Sequence, residues 1–257
     1  MAGLFDLTGK VALITGSSRG IGRAIAMQMA KAGAAVVISS RKPAPCEAVA
    51  AEIVAAGGRA ISLPASIADK AQLQALVDET TRQLGKIDIL VCNAAINPYY
   101  GPSAGISDDQ FDKIMASNIR SNHWLCHMVL PQMVERRDGA IIIISSVAGI
   151  MGNSTIGVYG ISKAADMALT RNLAVEFGPH NIRVNCIAPG LIKTDFARAL
   201  WEDPNVLKIA TELYPLRRIG TPDEVAGAAL MFASPAGAFI SGQTLVIDGG
   251  GTISQGR

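Results

Sequence analysis

Short runs of apolar, often β-branched residues alternate along this chain with longer segments whose apolar positions recur at helical spacing. The short runs predict seven β-strands, at residues 10–15, 35–40, 59–63, 88–92, 139–145, 182–187 and 243–247. The longer segments predict six helices, near residues 20–32, 44–56, 69–84, 108–136, 158–177 and 222–233. Apolar strands that alternate with helices are typical of a parallel sheet covered on both faces. The pattern therefore predicts an α/β fold with a doubly wound, seven-stranded parallel sheet of the Rossmann type.

Residues that start or stop helices lie at the ends of these segments. Gly33 and Gly57 each follow a predicted helix, and Ser107 precedes another. The segment Thr221-Pro222-Asp223-Glu224 combines an N-cap residue, a Pro at the first helical position and acids in the first turn. Right-handed crossovers then align the carboxyl ends of the strands along one edge, where sheets of this kind bind ligands.

The composition indicates one large buried core. Of 257 residues, 49% are hydrophobic and 17% charged, and no Pro/Ser-rich linker interrupts them. We therefore expect residues 1–257 to form a single domain, with an insertion at about 193–215 that lacks a strand. The net charge is only +2 and the basic residues are scattered, which argues against nucleic acid or a membrane surface as a partner. Without a signal-like N-terminus or a long apolar run, a cytoplasmic protein is expected.

The cysteine and histidine positions do not predict a metal site. Four cysteines without a Cys-x-x-Cys pair are expected to be reduced core thiols: Cys46, Cys92, Cys126 and Cys186. His123 and His127 have i,i+4 spacing, but neither a third ligand nor the Glu of the His-Glu-x-x-His motif accompanies them. We assign this pair to helix packing or a subunit contact.

A glycine-rich segment follows the first predicted strand. It reads Thr15-Gly16-Ser17-Ser18-Arg19-Gly20-Ile21-Gly22. A strand, a turn with few Cβ atoms and a helix N-terminus together let a pyrophosphate approach backbone N–H groups. The segment predicts a nucleotide-cofactor site.

A second candidate site combines a phenol with an ammonium. Tyr159 and Lys163 are four residues apart in a predicted helix, so both project from one face. Ser146, at the end of a predicted strand, precedes Tyr159 by thirteen residues. A free phenol has a pKa of about 10, and a nearby cation stabilises the phenolate. The three residues predict acid–base chemistry beside the cofactor.

Six short motifs follow one another along the chain: TGSSRGIG at 15–22, CNAA at 92–95, Asn118, ISS at 144–146, YGISK at 159–163 and PGLIKT at 189–194. In this order and spacing they resemble the classical short-chain dehydrogenase/reductase family over nearly the whole chain. The resemblance implies interconversion of carbonyls and alcohols with NAD(H) or NADP(H). The segments IDILVCNAAINPYYG and NIRVNCIAPGLIKTDFARALW resemble the NADPH-dependent carbonyl/retinal reductases of peroxisomes. The end, Ser254-Gln255-Gly256-Arg257, is not a Ser-Lys-Leu peroxisomal address.

The resemblance implies a catalytic tetrad of Asn118, Ser146, Tyr159 and Lys163. Tyr159 is the expected general acid, and Ser146 donates a hydrogen bond to the substrate oxygen. Lys163 lowers the phenol pKa and holds the nicotinamide ribose. Asn118 is expected to hold a water that relays protons to the lysine, with helix bending as the alternative role.

Cofactor contacts are expected at the strand ends, from Gly16, Ser18, Arg19, Gly20, Ile21, Gly22, Ser40, Arg41, Lys42, Ser66, Ile67, Asn93, Ala94, Ala95, Tyr159, Lys163, Pro189, Gly190, Ile192 and Thr194. Cys92, Ala95 and Ser66 depart from the Asn, Gly and Asp usual in the family. NAD-specific members end the second strand with an acid, which would repel a 2′-phosphate. Here Arg41 and Lys42 follow that strand, and a basic clamp favours NADP(H), with NAD(H) as the alternative.

The candidate substrate pocket is mostly apolar and comprises Ile96, Asn97, Tyr99, Val147, Ile150, Thr155, Leu191 and Trp201. We expect reduction of a hydrophobic ketone, aldehyde or dicarbonyl, with core packing as the alternative role of each position. Two other functions are considered: an NAD-dependent sugar or sterol alcohol dehydrogenase, and a non-catalytic dinucleotide sensor. The resemblance also implies a homotetramer, formed through the helices near 108–136 and 158–177 and the C-terminal region.

Overall fold

Seven strands form one parallel sheet in the computed structural model, which describes residues 3–254. The strands are β1 (Val11–Thr15), β2 (Ala35–Ser39), β3 (Arg59–Ser62), β4 (Ile89–Cys92), β5 (Gly139–Ile144), β6 (Ile182–Pro189) and β7 (Thr244–Ile247). Their order is β3-β2-β1-β4-β5-β6-β7, and every neighbouring pair is parallel. The predicted sheet is confirmed. The C-terminal tetrapeptide considered above falls mostly on residues 255–257, which lie outside the described residues.

Helices cover both faces of the sheet. They are α1 (Gly20–Lys31), α2 (Pro43–Ala55), α3 (Lys70–Leu84), α4 (Asp108–Met115), α5 (Ser121–Arg136), α6 (Gly157–Phe177), α7 (Arg198–Trp201), α8 (Pro204–Leu213) and α9 (Pro222–Ala233). One core joins α1, α2 and α9 to one face of the sheet, and a second core joins α3, α5 and α6 to the other. Between residues 3 and 254, no helix is both long enough and apolar enough to cross a membrane.

The predicted helix at 108–136 is interrupted. A π-helical turn at Ala116–Arg120 separates α4 from α5 and contains Asn118. An extra residue in a helical turn leaves the apolar spacing on either side almost unchanged, so the pattern predicts one continuous helix. Within this turn the side chain of Asn118 bonds outside its own helix, to the backbone of Ile96.

The insertion after β6 is helical. It contains α7 and α8, and a parallel bridge between Ile192 and Gly220 closes its base. The Trp201 indole donates a hydrogen bond to the Thr194 carbonyl over 2.8 Å and fixes α7 to the segment that follows β6. Two short helices, α7 and α8, thus lie in the segment between β6 and α9.

The predicted helix ends are confirmed. Ser107 and Thr221 each form a capping box with the residue three positions later. Gly33 and Gly57 follow α1 and α2 with φ of 101° and 85°, in the left-handed region that favours glycine.

Two glycines inside helices differ in the space around them, so replacing each by alanine should have opposite effects on stability. A Cβ at Gly22 in α1 would lie 2.5 Å from both Asn93 Nδ2 and Gly16 O, whereas one at Gly227 in α9 would meet nothing within 4 Å. Gly22→Ala should lower the free energy of unfolding by about 1–3 kcal/mol. Gly227→Ala should raise it by about 0.5–1 kcal/mol, because alanine costs less conformational entropy in a helix. Denaturant titration measures both, and equal effects would contradict the close approach of α1 to the end of β4.

Candidate active site

The turn after β5 lies directly on α6 and brings Ser146 to Tyr159. Residues 147–149 form one 3₁₀ turn. A Cβ at Gly149 would lie 2.7 Å from Ala164 N, and one at Gly160 would lie 2.6 Å from Ala148 O. Only glycine at these two positions permits so close a contact. The Ser146 Oγ accepts a hydrogen bond from Ala148 N over 3.1 Å, and the Ser146 side chain lowers the pKa of the Tyr159 phenol.

Tyr159 is a buried phenol, 9% exposed. Burial raises its pKa above 10, and the negative charge of Asp166 acts in the same direction. Lys163 and the Ser146 side chain lower the pKa of Tyr159, but burial outweighs them. The expected stabilisation of the phenolate by Lys163 is thus present but offset. At neutral pH Tyr159 is protonated, the form that a proton donor requires.

Lys163 is 2% exposed and its ammonium is bound by protein groups. The Nζ donates to Ile144 O over 2.9 Å and to Asp166 Oδ2 over 3.0 Å, and it lies 5.6 Å from the centroid of the Tyr159 ring. Burial lowers the pKa of Lys163, but attraction to Asp166 and Tyr159 outweighs burial and raises it. The lysine is therefore a fixed cation beside the phenol.

Asn118 is fully buried in the π-helical turn. Its Oδ1 accepts from Ile96 N over 2.9 Å, and its Nδ2 donates to Ile96 O and Ser162 Oγ, each over 3.0 Å. The side chain thus joins the loop after β4 to α6. The structure shows this bridging role, while the proton-relay role stays a prediction.

The glycine loop and its surroundings form a cradle at the switch point of the sheet. Gly16 and Gly20 have φ of 66° and 56°. Asn93 Nδ2 donates to Thr15 O over 2.9 Å and to Gly16 O over 3.2 Å, so its amide orders the loop. A Cβ at Gly20 would lie 3.3 Å from Thr194 Cγ2, which places the end of β6 against the loop. Among the described residues, no side chain caps α1, and its first N–H groups suit a pyrophosphate.

The basic residues expected at a 2′-phosphate lie at the surface beside this cradle. Arg41 and Lys42 are exposed where β2 ends, and the Arg19 side chain is 70% exposed. Ser40 Oγ is 3.0 Å from Cys46 Sγ, so its hydroxyl already has a partner. The donor set therefore fits an anionic group, with guanidinium and ammonium groups as its main ligands.

The remaining predicted cofactor positions lie at three strand ends. Ser66 N donates to Gln72 Oε1 over 2.9 Å, Ala94 N to Thr15 Oγ1 over 3.2 Å and Gly190 N to Ile247 O over 2.8 Å. These bonds order the backbone that would surround a dinucleotide. Contact with a cofactor stays a prediction for the whole set.

The predicted substrate positions are divided between two places. Val147 and Ile150 lie in or next to the turn on α6, and Gly101 N bonds to Thr155 O over 2.8 Å, joining the loop after β4 to that turn. Trp201 instead lines a groove of about 620 Å³ with residues of α1 and α9, and Tyr159 is not among the lining residues.

The other predicted substrate positions are mostly engaged in protein contacts. The Tyr99 hydroxyl donates to Pro102 O over 2.7 Å, and Leu191 N donates to the Tyr214 hydroxyl over 3.1 Å. Ile96 is held through its backbone by Asn118. Asn97 Oδ1 is buried and has no hydrogen-bond partner among the described residues.

Sequence reasoning missed three residues of this site. Phe196 in the insertion lies against Tyr159, with ring centroids 6.2 Å apart. Asp166 binds Lys163, and Asn122 Nδ2 donates to Asp166 Oδ1 over 2.9 Å. A signal for Asp166 was available, since an acid three residues after Lys163 in a helix can reach its ammonium. Phe196 could not be placed, because nothing fixes a loop residue in space before the fold is known.

A doubly wound sheet with a glycine cradle at its switch point, and a Tyr-x-x-x-Lys pair in the first turns of α6, defines an oxidoreductase of the Rossmann type. A family model described as Enoyl-(Acyl carrier protein) reductase matches residues 16–252. Dehydrogenase/reductase SDR family member 4 of Bos taurus is 38% identical over 97% of this chain and 90% of its own length. The chain belongs to the short-chain dehydrogenase/reductase family.

Two solved structures are similar over almost the whole fold. A gluconate 5-dehydrogenase from Burkholderia cenocepacia, in complex with NADP and tartrate, is 36% identical with a TM-score of 0.93, covering 98% of both chains. A 7α-hydroxysteroid dehydrogenase, complexed with NADH and 7-oxo glycochenodeoxycholic acid, is 38% identical with a TM-score of 0.93, covering 96% of both chains. Similar folds thus accompany both cofactors and two chemically different bound molecules.

The bridging role of Asn118 predicts a large loss of stability on truncation. Asn118→Ala leaves Ile96 N and O without their partner, at about 1–3 kcal/mol for each buried unsatisfied group. Asn153 provides a matched control, because its side chain also makes three hydrogen bonds, all as acceptor, but lies in an exposed loop. Thermal or denaturant unfolding should show a much smaller loss for Asn153→Ala. Equal losses would mean that Asn118 does not hold the loop after β4.

Proposed function

We propose that this protein reduces the carbonyl group of a hydrophobic ketone, aldehyde or dicarbonyl, with NADPH as the hydride donor. The proposal rests on the buried Tyr159 phenol, whose pKa Ser146 acts to lower and whose ring centroid lies 5.6 Å from the fixed Lys163 ammonium. Two neighbouring hydroxyl groups suit a carbonyl oxygen, and a cation beside them suits the negative charge that reduction creates on that oxygen.

Ser146, Tyr159 and Lys163 each have a different role in the proton transfer. Ser146 orients the carbonyl oxygen through its hydroxyl, and Tyr159 donates the proton as charge develops there. Lys163 then stabilises the phenolate left on Tyr159. NADPH, when bound in the cradle, supplies the hydride for the carbonyl carbon. The burial of Tyr159 and Lys163 keeps water from competing for these bonds.

Binding of NADP(H) follows from three parts of the chain. The N–H groups at the start of α1 would bind the pyrophosphate, and Arg41, Lys42 and Arg19 would bind the 2′-phosphate. An ammonium has three N–H groups, of which Lys163 directs two to Ile144 O and Asp166, so the third remains for the ribose hydroxyls. NADP in the Burkholderia structure supports this choice.

Apolar side chains near Tyr159 favour a hydrophobic substrate. Ile150 and Met151, in the segment after Ser146, are 50% and 49% exposed, and Phe196 beside Tyr159 is 57% exposed. Apolar surface at the entrance of a polar site would contact the part of the substrate next to its carbonyl.

Oxidation of an alcohol with NAD is a second candidate, because the similar hydroxysteroid dehydrogenase is complexed with NADH. Turnover of a panel of ketones, sugars and sterols with each cofactor separates the two candidates. The non-catalytic sensor is disfavoured, since binding a dinucleotide does not require Ser146 at the Tyr159 phenol. No turnover of any compound in the panel would favour it. The homotetramer and the cytoplasmic location remain predictions.

Replacing Tyr159 by Phe should abolish reduction while the fold and NADPH binding persist. The variant loses the transferable proton and little volume, so kcat should fall by about 10²- to 10⁴-fold. Tyr100→Phe is the control, since Tyr100 is 65% exposed. Steady-state kinetics and NADPH fluorescence titration measure the two properties. Near-normal turnover of the Tyr159 variant would assign the acid to another group.

Arg41→Asp should reduce the preference for NADPH over NADH, or reverse it. The variant removes a charge-assisted bond to the 2′-phosphate and adds a repelling acid, so kcat/KM for NADPH should fall about ten- to a hundredfold while that for NADH is kept. Arg171→Asp is the control, because Arg171 is an exposed residue of α6. An unchanged ratio of the two kcat/KM values, or a wild type that prefers NADH, would contradict a basic clamp at the end of β2.

A further inference from the structure

A buried set of polar groups joins Lys163 to α5. Asn122 Nδ2 donates to Asn118 O over 2.7 Å and to Asp166 Oδ1 over 2.9 Å, and Lys163 Nζ donates to Asp166 Oδ2 over 3.0 Å. Asn122 is 2% exposed and Asp166 is fully buried. The function proposed above uses Lys163 but leaves Asp166 and Asn122 without a role.

We propose that Asp166 is a positioning residue for Lys163, and that its carboxylate, oriented by Asn122, fixes the ammonium and sets the net charge beside Tyr159. The inference deepens the proposed function and rests on it, because it assigns to Asp166 an effect on Tyr159 and Lys163. Asp166 touches neither cofactor nor substrate in this scheme.

Two acceptors together fix the direction of the Lys163 ammonium. A lysine side chain is flexible and its ammonium is a compact charge, so a single acceptor does not fix its direction. Ile144 O at the end of β5 and Asp166 on α6 approach the same Nζ from two elements. Asn122 in turn fixes the carboxylate, since its amide bonds both Asp166 and the backbone of the π-helical turn. The third N–H of Lys163 therefore has a defined direction.

The Asp166 carboxylate also offsets the positive charge of Lys163 beside Tyr159. An isolated ammonium would lower the pKa of a neighbouring phenol strongly, whereas an ammonium paired with a carboxylate acts more weakly. Two other titratable groups face this pair. Burial raises the pKa of Cys186 on β6 to about 11, and the Cys126 thiol together with burial raises that of Cys92 on β4. Both thiols are uncharged near neutral pH, so Asp166 supplies the negative charge that opposes Lys163.

A packing role is the alternative. A buried ion pair can serve to join α5 to α6 without any effect on Tyr159, and removing one partner would then only destabilise the fold. The two roles differ in one property, the pH at which Tyr159 ionises. Loss of the Asp166 charge should lower the pH at which Tyr159 ionises, because no carboxylate then offsets the positive charge of Lys163.

The test is a phenolate titration by ultraviolet absorbance, which needs no turnover. Wild type, Asp166→Asn and Asp166→Glu are each measured with and without Tyr159→Phe, so that the difference isolates Tyr159. We expect the midpoint of Tyr159 to move to lower pH in Asp166→Asn and to stay near the wild-type value in Asp166→Glu, which keeps the charge. Asp112→Asn, in an exposed position of α4, is the control and should not move it.

Kinetics provide the second readout. In Asp166→Asn, the high-pH loss of carbonyl reduction should begin at lower pH, because Tyr159 must be protonated to act as the acid. The maximal kcat/KM should fall about ten- to a hundredfold, as expected when one charge-assisted hydrogen bond to Lys163 is lost. Asp166→Leu, which fills the site without a polar group, gives the same titration test if Asp166→Asn does not fold.

A Tyr159 midpoint that is unmoved or raised in Asp166→Asn, or moved equally in Asp166→Glu, would overturn the inference. The outcomes separate it from the proposed function. If Tyr159→Phe is inactive but the midpoint does not move, only the role of Asp166 fails. If Tyr159→Phe remains active, the proposed function fails, and the titration still decides whether Asp166 controls the charge at Tyr159.

Discussion

Burying an ammonium in a protein interior is costly unless other groups replace its water, and the candidate site depends on how Lys163 meets this requirement. One acceptor is a strand carbonyl, Ile144 O, and the other is Asp166 on the same helix as the lysine. The lysine is thereby bound to both β5 and α6. Any displacement of α6 along the sheet would break one of these bonds, so the cation also fixes the position of Tyr159 one helical turn away.

The local backbone supports the same arrangement from two sides. Close contacts at Gly149 and Gly160 seat the turn that carries Ser146 on α6. On the other side, the π-helical turn directs Asn118 to Ile96 and Ser162, which joins the loop after β4 to the same helix. Loops from β4 and β5 thus converge on α6, because each has a specific contact with it. A parallel sheet brings the strand ends close together, and these contacts hold the residues of the candidate site in place.

Much of this architecture could be predicted from the sequence. Apolar periodicity predicts the seven strands, and the resemblance of the ordered motifs to a known family predicts Ser146, Tyr159 and Lys163 as site residues. The π-helical turn could not be predicted, because one extra residue hardly alters the apolar spacing of residues 108–136. Asn118 and Asn93 were assigned to the reaction and the cofactor, yet their amides bond mainly to backbone groups. Such partners lie far away in sequence, and only the folded chain reveals them.

Phe196, Asp166 and Asn122 were missed for the same physical reason. Their roles depend on tertiary contacts, with Tyr159, Lys163 and the π-helical turn. The helical insertion after β6 is the part of the site whose apolar surface the sequence describes least well, since short helices on a loop take their position from the body of the protein.

We propose that Tyr159, Ser146 and a fixed Lys163 act together on one carbonyl oxygen. A crystal structure of the protein with NADP⁺ and a hydrophobic ketone tests this arrangement. We expect the ketone oxygen within about 3 Å of both the Tyr159 and Ser146 hydroxyls, with Lys163 still bonded to Ile144 O and Asp166. A ketone oxygen bound away from Tyr159, or a Lys163 that has left both acceptors, would contradict it.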